Sequence, residues 1–181
     1  MTFADYFELL ALPRQFAIDV QQLETNWHKL QASFHPDRFA TAPAREKYLA
    51  MEHSACINDA WKTLREPQSR ARYLLELTGV SISKENQQAL LSPDFLMSQM
   101  ALREEVEAAA DSKPRLQALL TEVQSERAQQ VEKLRLLIDE HADYKAASTT
   151  LAEIMFQDKL VHLVEDQLEA LAWPSSDSAL P

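Results

Sequence analysis

Asp19-Val20-Gln21-Gln22-Leu23-Glu24-Thr25-Asn26-Trp27-His28-Lys29-Leu30-Gln31-Ala32-Ser33-Phe34-His35-Pro36-Asp37 carries the period of a helix and then breaks it. Val20, Leu23, Trp27, Leu30 and Phe34 recur at steps of three and four, which gathers them on one stripe. Asp19 supplies the short acceptor side chain of an N-cap. Pro36 has no amide donor and disfavours helical geometry at the residue before it, so the helix must stop at His35. The three residues His35, Pro36 and Asp37 are thereby left on display at its end.

The same period governs the chain on either side, with no convincing strand-type alternation, and the fold class is all-α. Upstream, Tyr6 to Leu10 forms a short helix that Pro13 ends. Downstream, Arg38 to Pro43 reads as an exposed connection and a third helix runs from Ala44 to Arg65, with Leu49, Ile57, Trp61 and Leu64 inward. Pro67 opens a fourth helix, whose Tyr73, Leu74 and Leu77 face inward until Gly79 supplies a left-handed stop. A first domain over residues 1–79 follows, then a polar connector over 80–91.

Ser92-Pro93-Asp94 places an N-cap before a proline at the first helical position and starts a second domain over 92–173. Its first helix carries Phe95, Leu96, Met97, Met100, Leu102 and Val106. The second, opened by Pro114, carries Leu116, Leu119, Leu120, Val123, Val131, Leu134, Leu137 and Ile138. The third begins near Tyr144 and shows Leu151, Ile154, Val161, Val164, Leu168 and Leu171. Long helices joined by a short turn predict an antiparallel three-helix bundle. Residues 174–181, rich in Ser and bearing Pro, are expected to be disordered.

Composition excludes several kinds of protein. Of 181 residues only Gly79 is glycine, so neither a glycine-rich phosphate cradle nor a dinucleotide fingerprint can be built. The lone Cys56 can form no internal disulfide, which suits a reducing compartment. Net charge is −10, close to neutral through Thr78 and strongly acidic beyond it. A duplex-binding surface needs the opposite field, so nucleic acid is not expected as a partner. No apolar run reaches the roughly 18 residues of a membrane span, and Met1 to Tyr6 shows no signal core, so a cytoplasmic product is expected.

Two separated motifs sharpen this reading. Ser33-Phe34-His35-Pro36-Asp37-Arg38-Phe39 resembles the signature loop of the J domain, and Ile57-Asn58-Asp59-Ala60-Trp61-Lys62-Thr63-Leu64-Arg65-Glu66-Pro67 is similar to that domain's third-helix ending. Arg70 to Leu77, with Phe95-Leu96-Met97 and Leu102-Arg103-Glu104-Glu105, narrows the resemblance to the HscB family, J-type co-chaperones of iron-sulfur cluster assembly. The likeness covers nearly the whole chain.

The resemblance implies a non-enzymatic adaptor with two partners, a heat-shock ATPase of the HscA type and a scaffold protein of the IscU type. His35, Pro36 and Asp37 would contact the ATPase near its interdomain linker, with His28, Lys29 and Arg38 as a thin positive face; Lys29 reads equally as a solvated helix residue. The family's scaffold pattern maps onto Leu96, Met97, Met100, Glu104 and Phe156. Leu96 and Met97 are adjacent, so both cannot point into a core. Ala101 and Ala108 stand where the family carries acids, which moves the acidic contact toward Glu105 and Glu107.

No cofactor and no metal are expected. His28, His53, His141 and His162 lack companions at helical ligand spacing, and the zinc-binding cysteine motif of eukaryotic relatives does not precede the J domain, so the resemblance implies a bacterial member; the sequence does not fix the oligomeric state, and a monomer is expected. The competing readings are a J protein for another client and a di-metal helical enzyme. The latter needs paired Glu-x-x-His motifs, and none occurs.

Overall fold

The computed structural model describes residues 4–172, the side chains of Lys84 and Glu85 excepted. The tail expected to be disordered, 174–181, lies outside them. Every regular element among the described residues is helical, and the chain divides into two compact units, Met1–Ser81 and Ile82–Pro181.

The first unit opens with α1 (Tyr6–Leu9), capped by Asp5, whose carboxylate accepts from the Glu8 amide at 2.9 Å. Pro13 does not end it: Ala11 takes a left-handed φ of 50°, which lets the Leu12 amide reach back to the Phe7 carbonyl. Helix α2 (Val20–Phe34) starts where expected, with Asp19 accepting from the amides of Gln21 and Gln22. It runs antiparallel to α3 (Ala44–Arg65), and α4 (Pro67–Leu77) closes the unit. Leu10, Leu23, Ile57, Ala60, Leu64 and Leu75 form a core sealed from solvent. Arg70 is buried beside them, donating to the Leu64 carbonyl at 2.6 Å with its guanidinium over Phe16. Gly79, at φ 84°, makes the expected stop.

Four residues assigned to inward stripes are exposed: Val20, Leu49, Leu77 and Leu171. Each sits at a helix end or at the edge of a stripe. Ala50 takes the buried place beside Leu49, and Leu74 and Leu75 take it from Leu77. The stretch after Pro36 also differs from expectation, because Pro36–Phe39 forms one turn of 3₁₀ helix rather than an open loop. Nor is the stretch after Val80 without structure. Ser83 caps α5 (Lys84–Gln87) in a reciprocal box with Asn86, and a 3₁₀ turn follows at Gln88–Leu90.

In the second unit, Ser92 caps α6 (Pro93–Ala108) by accepting from the Phe95 amide, as its sequence predicts. Helices α7 (Lys113–Arg135) and α8 (Tyr144–Ala172) lie antiparallel, and Arg127 joins them through Asp158 at 2.7 Å. Val106, Leu116, Val123, Leu160 and Val164 bring all three helices to one apolar cluster. Helix α7 widens into a π turn at Leu136–Glu140, and Ala142 at φ 51° reverses the chain.

Candidate functional site

The tripeptide is held by its own chemistry. His35 is the extended residue at which α2 ends, and Pro36 opens the 3₁₀ turn with a φ the ring already restricts. The His35 side chain caps that turn: its Nδ1 accepts from the Asp37 amide at 3.3 Å. The same nitrogen lies beside the Asp37 carboxylate, so the turn holds imidazole and acid together. The His35 and Asp37 side chains are 53% and 89% exposed, and their 3.5 Å approach adds little stability at such exposure. What results is an imidazole held beside a carboxylate, both exposed.

Behind this tip, α2 and α3 are fastened by a network that periodicity does not reveal. The Asn58 Oδ1 accepts from the Trp27 indole at 3.1 Å and from the Gln31 amide at 2.6 Å, and Gln31 also reaches Ser54. Trp27 stacks on Trp61 at 4.8 Å, and Phe34 meets His53 edge-on two turns nearer the tip. The signal available in the sequence was a polar residue, Asn58, directly after the buried Ile57.

Of the expected positive face, His28 and Lys29 are exposed on α2, with the His28 ring against Trp27. Arg38 turns back. Its guanidinium donates to the Ala32 carbonyl at 2.7 Å, capping an otherwise unsatisfied group at the end of α2. Arg38 thus joins the structure of the tip while its side chain remains exposed.

In the second unit, Met97 and Met100 are 69% and 64% exposed, and Glu104 shares their face at helical steps of three and four. Leu96 and Phe156 are half-buried. Phe156 packs edge-on against Phe95 and lies under the Lys159 ammonium. Met100 and Phe156 line a groove with Arg103 and Leu163, so α6 and α8 bring these two of the expected residues together. The displaced acidic contact divides differently. Glu107 is bound to Arg103 at 3.1 Å, and Glu105 lies about 100° round the helix from Glu104.

A helical hairpin ending in an outward His-Pro-Asp turn, on one chain with a second helical unit, defines the class: a J-domain co-chaperone. Residues 91–165 match the family model described as the HSCB C-terminal oligomerisation domain. The co-chaperone protein HscB homolog of Azoarcus sp. strain BH72 is 43% identical over 169 residues, covering 92% of this chain and 95% of that protein. The structure of chaperone HscB from Vibrio cholerae superposes with a TM-score of 0.82 at 36% identity, over 92% of this chain and 99% of that one. The human co-chaperone HscB gives 0.85 at 27% identity, over 92% and 83%. The chain belongs to the HscB family of J-domain co-chaperones, which serve iron-sulfur cluster assembly. No helix among the described residues is long and apolar enough to cross a membrane.

Proposed function

We propose that the chain is a non-enzymatic cytoplasmic adaptor whose two units bind two partners. Residues 1–79 act as the J domain: His35, Pro36 and Asp37 engage an HscA-type ATPase, stimulate hydrolysis, and are steered by His28, Lys29 and Arg38. Residues 92–173 hold an IscU-type scaffold on Leu96, Met97, Met100, Glu104 and Phe156. One chain carrying both sites makes the second encounter effectively intramolecular, raising local concentration without any new contact. Chemistry stays on the partners, and the adaptor works as a monomer.

The observation that carries this reading is the His35-capped turn at the tip of a fastened hairpin. A pre-set turn loses little conformational freedom on docking, which leaves more of the contact energy as affinity. The Met97 and Met100 face supports the second half, since two large exposed methionines beside half-buried Leu96 and Phe156 suit an apolar docking surface.

The test uses His35→Gln and a Leu96/Met97/Phe156→Ser triple variant, each assayed for ATPase stimulation and for scaffold affinity. His35→Gln should abolish stimulation and leave scaffold affinity unchanged; the triple variant should do the opposite. Retained stimulation in the first would refute the tip assignment, and retained scaffold affinity in the second would refute the face.

A further inference from the structure

The solvent face of a helix ordinarily carries polar side chains. Among the described residues of the second unit, the large apolar side chains left exposed are Met97, Met100 and Leu171. The two on α6 stand three positions apart, so they share a face, and both are methionine. Met155, on α8, is half-buried. Met51, on α3 of the first unit, is 61% exposed and belongs to neither proposed docking surface. Leucine would fill the two α6 positions with similar apolar bulk. What methionine adds there is a thioether, which takes up oxygen where leucine is inert.

We propose that Met97 and Met100 form a methionine-oxidation site through which hydrogen peroxide reversibly releases the docked scaffold. A sulfur lone pair attacks one peroxide oxygen, the O–O bond breaks, and the other oxygen leaves as water. Sulfur gives up two electrons in becoming the sulfoxide, and the peroxide is reduced by the same two. The product bears a strongly accepting oxygen on a side chain that was apolar. Seating it against an apolar partner strips the hydration of that oxygen unless a donor replaces it. Met100 lines its groove with Phe156, Leu160 and Leu163, so the surface there is chiefly apolar. Of the cations in the same walls, Arg103 is held by Glu107 and Lys159 stands over the Phe156 ring. Both methionines lie outside the core, so oxidation alters the surface and leaves the bundle folded. Release rests on the scaffold reading; the order in which the sulfurs oxidise does not.

The experiment treats the full-length protein with hydrogen peroxide, removes the excess with catalase, and reads each methionine by peptide mass spectrometry. Met97 and Met100 should gain oxygen at the pace of Met51 and ahead of Met155. Titration calorimetry with an IscU-type scaffold should then give an affinity about tenfold or more below that of the untreated chain, with far-ultraviolet circular dichroism unchanged. Dithiothreitol alone reverses thiol oxidation at the exposed Cys56 and should restore nothing, whereas adding the two stereospecific methionine sulfoxide reductases should restore the affinity. Met51→Leu should keep the full loss. Met97→Leu/Met100→Leu is read as the ratio of treated to untreated affinity, which should approach one whatever its starting value. Reductase rescue of the unsubstituted chain decides the question even if that double variant binds too weakly to measure. Oxidation of Met155 ahead of Met97 and Met100, equal affinity before and after treatment, rescue by dithiothreitol alone, or an undiminished loss in the double variant overturns the proposal. An untreated chain without scaffold affinity would remove the docking reading and release with it, a failure told apart because it needs no oxidant.

Discussion

Replacing Asn58 with alanine removes one acceptor and, with it, two hydrogen bonds between α2 and α3. Those bonds, from the Trp27 indole at 3.1 Å and the Gln31 amide at 2.6 Å, are part-buried. Each is worth about 0.5–1.5 kcal/mol net, and orphaning a part-buried indole N–H adds roughly 1 kcal/mol. Gln31 keeps its contact to Ser54, so no penalty is added there. The expected loss is about 2–4 kcal/mol, a large share of the ~5–15 kcal/mol that holds a domain together. For a unit of this size that lowers the melting temperature by roughly 10–30 °C. Calorimetry of the full chain should show one transition moving and the other, from the second unit, staying in place. Asn58→Asp keeps an acceptor in position and should recover most of the loss. A fall under ~0.5 kcal/mol for alanine, or an aspartate variant as unstable as alanine, would mean that apolar packing alone joins the hairpin.

Other consequences follow from single residues. Burial by itself would raise the Asp5 pKa, but the Glu8 amide and the Arg14 guanidinium outweigh it and hold the carboxyl below its ordinary value of 3.8. A depressed folded value contributes stability that is present above pH 3.8 and lost as pH falls below it. Asp5→Asn should therefore lower the first unit's melting temperature at pH 7 and flatten its acid limb; parallel curves would remove Asp5 from the account. Arg38→Met frees the Ala32 carbonyl and should cost about 0.5–1 kcal/mol, seen as faster amide exchange in the last turn of α2. Gly79→Ala meets no neighbouring atom, so its cost is conformational alone, about 1–2 kcal/mol for a left-handed alanine, read by urea denaturation.

Punctuation was the part of this fold that could be read in advance. Asp19, Pro36, Pro67, Gly79 and the Ser92-Pro93 pair each constrain the backbone locally, so they mark boundaries without knowledge of what packs where. Periodicity located the stripes but not their edges. Whether Leu49 or Ala50 is covered depends on which neighbour crosses at that point, a long-range fact absent from the helix itself. Buried polar groups were the least legible. Gln99, Gln157 and Arg70 look like surface residues in any local window, and only the meeting of distant helices encloses them. The tip was legible because proline acts through covalent geometry. The Asn58 network was not, because hydrogen bonding across 27 and 31 positions leaves no spacing rule.

Two of the three tryptophans of the chain, Trp27 and Trp61, stack with 4.8 Å between ring centroids and an interplanar angle of 22°. Indoles this close couple electronically, so their near-ultraviolet circular dichroism and emission depend on their mutual spacing. With Trp173 changed to Phe to silence the remaining chromophore, the unlabelled protein would act as its own optical gauge, reporting within the J domain any change in the spacing of α2 and α3.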